Sequence, residues 1–337
     1  MKLLIIVAAL LAFGALRLPL ERGLAADRVR SGLRDDAGVP LNLREQVNQA
    51  SLVALLGGLR SMAAAIWDLW ACSAWEKTQY AQVERDYLFC QRLQPRTFYY
   101  YDRGQWMMAY NAAHYYELRN TERGALNALL RSAYTDKGLV MLRTGQKFLP
   151  LEPRLHEQEA TLYRDKIRPR QPLKEAAAWQ RATTCPGAPA YTARFQAYAL
   201  AHAPGHEAEA VALARQSLAR YTGSETASTE LIKAWREADT DALTRRLLEQ
   251  WSRQLKRSLP STLLNLLLIS ELSRELRDNP AADLTELHTR LRLVHDRSVP
   301  NRTPLLYDSL RQLESKLDLP LPERTPEPRQ ETPVGTL

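Results

Sequence analysis

Only three cysteines, Cys72, Cys90 and Cys185, occur in the 337 residues. An odd count leaves at least one thiol outside any intramolecular pair, which excludes a disulfide framework. None lies near the N-terminus, where a lipoprotein signal needs one. Zinc would demand more ligands at closer spacing. Cys72 and Cys90 either meet across one helix pair or serve as small buried hydrophobes. Strand patterning is also scarce: the nearest β-like patch, Phe98-Tyr99-Tyr100-Tyr101, runs straight into a helical pattern carrying Trp106 and Tyr110. A phosphate-cradling loop is missing, because Gly145-Gln146-Lys147 lacks the glycine five residues earlier and the hydroxyl after the lysine. His202 and His206 stand four apart beside Glu207, yet Pro204-Gly205 breaks the helix that would align them on a metal. No metal or cofactor is implied.

The net charge of +8 comes from 46 Lys and Arg against 38 Asp and Glu. Its arginines are scattered through helical stretches, and no aromatic-interleaved basic stripe accompanies them, so a solvated helical surface explains the charge without nucleic acid. The densest basic group, Lys166, Arg168 and Arg170 around Pro169, reads as a loop. Strong helix formers dominate the middle of the chain. Breakers punctuate it at Pro95, Pro150, Pro186, Gly223, Pro260 and Pro300, at intervals of 55, 36, 37, 37 and 40 residues. Units of about 34 to 47 residues are helix pairs that bury their apolar faces only by stacking, as in α-solenoids. Leu243, Leu247, Leu248, Trp251 and Leu255 recur at helical spacing, and Leu264, Leu267, Leu268, Leu272 and Leu276 follow in the next helix.

At the N-terminus, Lys2 precedes an uninterrupted apolar run from Leu3 to Leu16, closed by Arg17, Glu21 and Arg22. The run suits a signal anchor, extended through residues 3–20 if Arg17 snorkels, or a cleaved signal peptide. Arginines after it favour a cytoplasmic body by the positive-inside rule. An apolar run at the extreme N-terminus is, against that, an export signal. We expect the body on the extracytoplasmic side of a bacterial inner membrane. The expected organisation is therefore 1-20 anchor or signal, 21-45 polar linker, 46-317 helical repeat domain and 318-337 proline-rich disordered tail. That tail holds five prolines and no aromatic residue.

From Met62 to Pro95 the chain resembles a degenerate tetratricopeptide repeat. Trp67 falls on the tryptophan position, Trp70 on the next large apolar one, Ala71 on the small glycine position, Tyr87 on the second-helix aromatic, Cys90 on its small position and Pro95 on the final proline. Ala74 and Val83 depart from that pattern, standing where a tyrosine and a closely packed alanine are usual. The order of leader, Leu56-Gly57-Gly58-Leu59-Arg60, tryptophan-rich helix, Leu93-Gln94-Pro95, Tyr163-Arg164-Asp165-Lys166 and Pro186-Gly187-Ala188-Pro189 resembles a family of membrane-anchored, tetratricopeptide-like bacterial proteins. The resemblance implies an all-α, right-handed α-solenoid of antiparallel helix pairs, with nothing catalytic to carry over.

It also implies that Ala65, Asp68, Cys72, Trp75 and Glu76 face a groove suited to an extended peptide. Tyr99 and Trp106 would line its next part, although Trp106 and Tyr110 share a helix face at i, i+4, and most such aromatics read rather as core or inter-repeat packing. The leading expectation is a non-enzymatic, membrane-anchored scaffold that binds a protein or peptide. The alternatives are a structural subunit of an envelope or pilus/secretion-type assembly and a cell-envelope enzyme. For the last, isolated acids such as Glu84 and Asp86 offer no reacting constellation.

Overall fold

The computed structural model describes residues 59–118, 124–167, 169–238, 240–256, 258–297 and 302–319. Every regular element among them is a helix. None of these helices is long and apolar enough to cross a membrane. The expected anchor 1-20, the linker 21-45, Pro300 and all but the first two residues of the tail 318-337 lie outside the described residues.

The helices belong to two compact units. The first, spanning residues up to Gln171 together with Thr184–Ala188, contains α1 (Arg60–Glu76), α2 (Tyr80–Leu93), α3 (Phe98–Trp106), α4 (Ala113–Leu118), α5 (Gly124–Phe148) and α6 (Pro153–Asp165). A π-helical segment, Met107–Ala112, joins α3 to α4 without interruption. The second unit contains α7 (Pro172–Thr184, except its last residue), α8 (Tyr191–Ala201), α9 (Glu207–Thr222), α10 (Glu225–Glu237), α11 (Asp241–Leu255), α12 (Ser261–Asp278), α13 (Leu284–Arg297) and α14 (Pro304–Lys316).

Local chemistry accounts for the boundaries. Pro95, Pro150, Pro186, Gly223 and Pro260 all fall between helices, and two helical stretches separate each from the next. Gly223 ends α9 in the left-handed region at φ 81°, which a residue without Cβ reaches at no steric cost. Ser224 follows at once as the N-cap of α10 and accepts a hydrogen bond from the Ala227 N–H. Pro153 and Pro304 open α6 and α14, where the missing N–H has no helical partner to lose. Pro204-Gly205 separates α8 from α9, so His202 and His206 sit on a connection between helices.

In the first unit, α1 packs through Ala63, Ala64, Ala71 and Ala74 against α2. Trp67 packs against Phe89 in a tilted pair with centroids 4.5 Å apart, and the Cys90 thiol donates to the Ala64 carbonyl at 3.3 Å. Burial pushes that thiol up to about 12, with Asp68 and Asp86 adding to the effect. All three cysteines are free. Ala74 and Val83, the two departures from the repeat pattern, share one buried cluster with Tyr80, Tyr87, Met107 and Tyr134. Trp70, by contrast, is exposed, and forms with Met62, Ile66 and Leu69 an apolar stripe on the side of α1 away from its alanines.

The π segment breaks the α-helical periodicity after Trp106. Its i→i+5 bonding turns three consecutive residues, Met107, Met108 and Ala109, into the interior, and shifts everything after Trp106 around the axis. Trp106 stands exposed, while Tyr110 packs against the cluster of Tyr101, Leu142 and Leu155.

Close approach between α5 and the α3–π segment depends on two glycines. A Cβ at Gly138 would lie 2.8 Å from the Ala109 Cβ and 3.0 Å from the Gln105 carbonyl oxygen; one at Gly145 would lie 2.7 Å from the Tyr101 ring. Gly145 is thus a contact residue in a helix. Gly138→Ala should destabilise the protein by about 1–3 kcal/mol, because backbone cannot yield, even after the helix gains up to about 1 kcal/mol in propensity. Denaturant midpoints check this. Gly104→Ala, which meets the flexible Met141 Sδ first, should cost less.

The second unit is organised on α12, which packs against α8, α9, α10, α13 and α14. Its periodic leucines, Leu264, Leu267, Leu268, Leu272 and Leu276, are all buried. The similar pattern on α11 meets only α10 closely. Leu247, Leu248, Trp251 and Leu255 are accordingly half-exposed and Leu243 is exposed.

Candidate partner-binding face

The candidate residues divide by where the first unit places them. Asp68 and Cys72, one turn apart on α1, are half-buried and face α3. From α3, the Tyr99 hydroxyl donates to Asp68 Oδ2 at 3.0 Å. From α2 beneath them, the Tyr87 hydroxyl donates to Asp68 Oδ1 at 2.9 Å. Each carboxylate oxygen therefore holds one phenol, and the first helices of two successive pairs are tied by a single side chain. Tyr99 remains 47% exposed, so the tie lies at the surface.

Arg103 completes the cluster. One turn after Tyr99, its guanidinium stands near the Tyr87 hydroxyl and the Cys72 thiol and lies 5.1 Å from the Trp106 ring centroid. Its Nε is buried with no hydrogen-bond partner among the described residues. Burial would lower the basicity of this guanidinium, but Tyr87, Tyr99 and Cys72 more than offset it and the net shift is upward. Burial raises the Tyr87 phenol, and Asp68 raises it further; the same two causes act on Tyr99. Both phenols consequently stay protonated donors at neutral pH.

Trp106, 39% exposed, edges this face beyond Arg103. Trp75 and Glu76 do not join it. Trp75 leans on the buried cluster around Tyr80 and Tyr87, and Glu76 is exposed at the end of α1. Of the remaining aromatics, Tyr100 and Tyr101 are buried, and Tyr115 and Tyr116 pack on Tyr80 with centroids at 5.2 and 6.4 Å.

Arg103 is the residue that sequence reasoning missed. The available signal was its spacing: i+4 from Tyr99 and i−3 from Trp106 puts all three on one side of α3. The result is a face with carboxylate, guanidinium, phenol, thiol and indole groups side by side. It offers donors and acceptors of both charges over an aromatic edge. Among the described residues no group of three or more His, Cys, Asp or Glu side chains is placed to hold a metal ion.

A second polar centre in this unit has a structural role. The buried Glu159 of α6 accepts from Arg143 Nε at 3.3 Å and from Gln146 Nε2 at 2.8 Å, both on α5, and Arg143 also reaches the Tyr163 hydroxyl. Both carboxylate oxygens are thus engaged in holding α6 to α5. No family model, curated protein or solved structure matches the chain, so the face stands on its own residues.

Proposed function

We propose that this chain is a non-enzymatic, membrane-anchored scaffold. In this reading its helix pairs form a right-handed, tetratricopeptide-like solenoid, held by residues 3–20 on the extracytoplasmic side of a bacterial membrane, and a groove along α1 and α3 takes a protein or peptide partner. The observation that carries it is the convergence of Asp68, Cys72, Tyr99 and Trp106 around Arg103, from the first helices of successive pairs. Exposed tyrosine and tryptophan beside a half-buried arginine are the residue types that dominate binding hot spots.

A second reading has its own support. The exposed stripe of Met62, Ile66, Leu69 and Trp70 suits a permanent contact, as in a fixed subunit of an envelope or pilus/secretion-type assembly. A crosslinking pull-down of the full chain from native membranes separates the two. Tyr99→Ala and Trp106→Ala should each weaken recovery of one dominant prey by about 30-fold, equivalent to roughly 2 kcal/mol, with Leu69→Asp and Trp70→Asp neutral. The opposite pattern favours the fixed subunit. A hydrolase activity that copurifies with the folded body and is lost on Cys72→Ala would overturn both.

A further inference from the structure

Helix α1 is apolar on two sides, and among the described residues only one of them is covered. Ala63, Ala64, Ala71 and Ala74 meet α2, while Met62, Ile66, Leu69 and Trp70, at i, i+4, i+7 and i+8, stand between 39% and 68% exposed on the other side. We infer that residues 41–56 of this same chain fold back over that stripe, making α1 the second helix of a hairpin. The inference is independent of the face on α1 and α3. It also withdraws the stripe from any external partner.

The stripe carries no charge. Of the 17 residues of α1 only Arg60, Asp68 and Glu76 are charged, and both carboxylate oxygens of Asp68 are already taken by Tyr87 and Tyr99. The outermost helix of a stack is normally polar on its free side, because that side meets water. This one instead carries an indole there, with the Trp70 ring centroid 4.7 Å from that of Trp67. A helix with two apolar sides is built to be packed on both.

The chain immediately before α1 has the pattern to cover it. Across residues 41–56 the only charges are Arg44 and Glu45, and Leu43, Val47, Ala50 and Ala54 recur at i, i+4, i+7 and i+11. Gly57-Gly58 follows, then Leu59 and the first turn of α1. Two or three residues suffice to connect antiparallel helices. A reversal centred on Gly58 sets Ala54 opposite Met62, Ala50 opposite Ile66, Val47 opposite Leu69 and Leu43 opposite Ser73. Small residues thus face large ones, the alternation that lets facing helices interdigitate. As a helix the segment would rise about 24 Å, twice the roughly 12 Å from Met62 to Trp70.

Other occupants fit less well. Four side chains exposed to this degree present on the order of a few hundred Å², below the about 800 Å² that each partner of a stable interface buries. A second copy therefore gains too little from the stripe to offset the entropy of association. A bilayer surface calls for basic residues along the rim, and α1 has one, Arg60. A segment joined through two glycines meets neither objection, since its effective concentration at the stripe is on the order of millimolar or more.

Met62 supplies the test, because it is the one methionine in its tryptic peptide, residues 61–77. The full chain in non-ionic detergent is treated with dilute hydrogen peroxide, and sulfoxide at Met62 is followed by mass spectrometry. Oxidation should be at least about tenfold slower than in the urea-unfolded chain. Ala50→Asp with Ala54→Asp should abolish most of that protection, while the buried Met107 and Met141 stay protected and show that the first unit remains folded. In the opposite direction, Leu69→Asp should raise hydrogen exchange at amides 43–56 severalfold. Met62 oxidised at the unfolded rate in the parent would overturn the inference. So would protection indifferent to the two aspartates, whether it comes from detergent or, fading on dilution, from a second copy. None of these outcomes bears on recovery of a prey through Tyr99 and Trp106, so the proposed function stands or fails separately.

Discussion

Replacing Trp235 by alanine should destabilise the second unit by about 3–5 kcal/mol, the range for emptying a buried tryptophan site. Trp235 lies on α10, is fully buried, and donates its indole N–H to Asn265 Oδ1 on α12 at 3.0 Å. Asn265 is itself buried. The loss therefore has two parts: a cavity against the helix that organises the unit, and an amide oxygen left without its donor. Trp235→Phe separates them by restoring most of the ring and omitting the N–H, and should cost about 1–3 kcal/mol. A double-mutant cycle with Asn265→Leu should then recover part of the Phe penalty, since removing both polar partners leaves neither unsatisfied. Hydrogen exchange at amides of α10 and α12 reads the effect in this unit directly. A Trp235→Ala protein within about 1 kcal/mol of the parent would show that α12 is not pinned here.

How much of this was legible before the structure depends on whether the signal is local. Helix limits were, because Gly223 with Ser224, and Pro153 with Glu152, encode stops and starts within two residues. The burial of Ala71, Tyr87 and Cys90 was also legible, as small and aromatic residues at helix-pair spacing. Three features were not. The π segment has no sequence signature of its own and coincides with the place where Gly138 admits α5 against Gln105 and Ala109. Arg103 looked like one more solvated arginine until α1 and α3 met around Asp68. The leucine patterns of α11 and α12 are nearly alike as letters, and only their neighbours decide that one is half-exposed and the other is the unit's centre. Periodicity predicts which face is apolar; it does not say whether anything covers that face.

The same dependence on neighbours makes Glu314 a sharp test of the second unit. This carboxylate on α14 is fully buried, an arrangement no local pattern foretells. Its Oε1 accepts from Arg292 at 2.5 Å and from His288 Nε2 at 3.3 Å, both on α13, while Oε2 has no hydrogen-bond partner among the described residues. Arg292→Met keeps most of the aliphatic stem and removes the cation, leaving a buried charge opposed by His288 alone. Breaking such a pair from one side costs about 3–5 kcal/mol when both ions are buried. Arg292 retains 35% of its side-chain exposure, so solvent already screens part of the interaction and about 2–4 kcal/mol is the expected loss. Adding Glu314→Leu should restore most of it, because the desolvated charge disappears together with its partner. Urea midpoints of the two single variants and the double variant measure this asymmetry. If Arg292→Met alone proved neutral, the carboxylate would have another source of compensation, and α13 would be held to α14 by its apolar contacts through Leu310 and Leu313 rather than by charge.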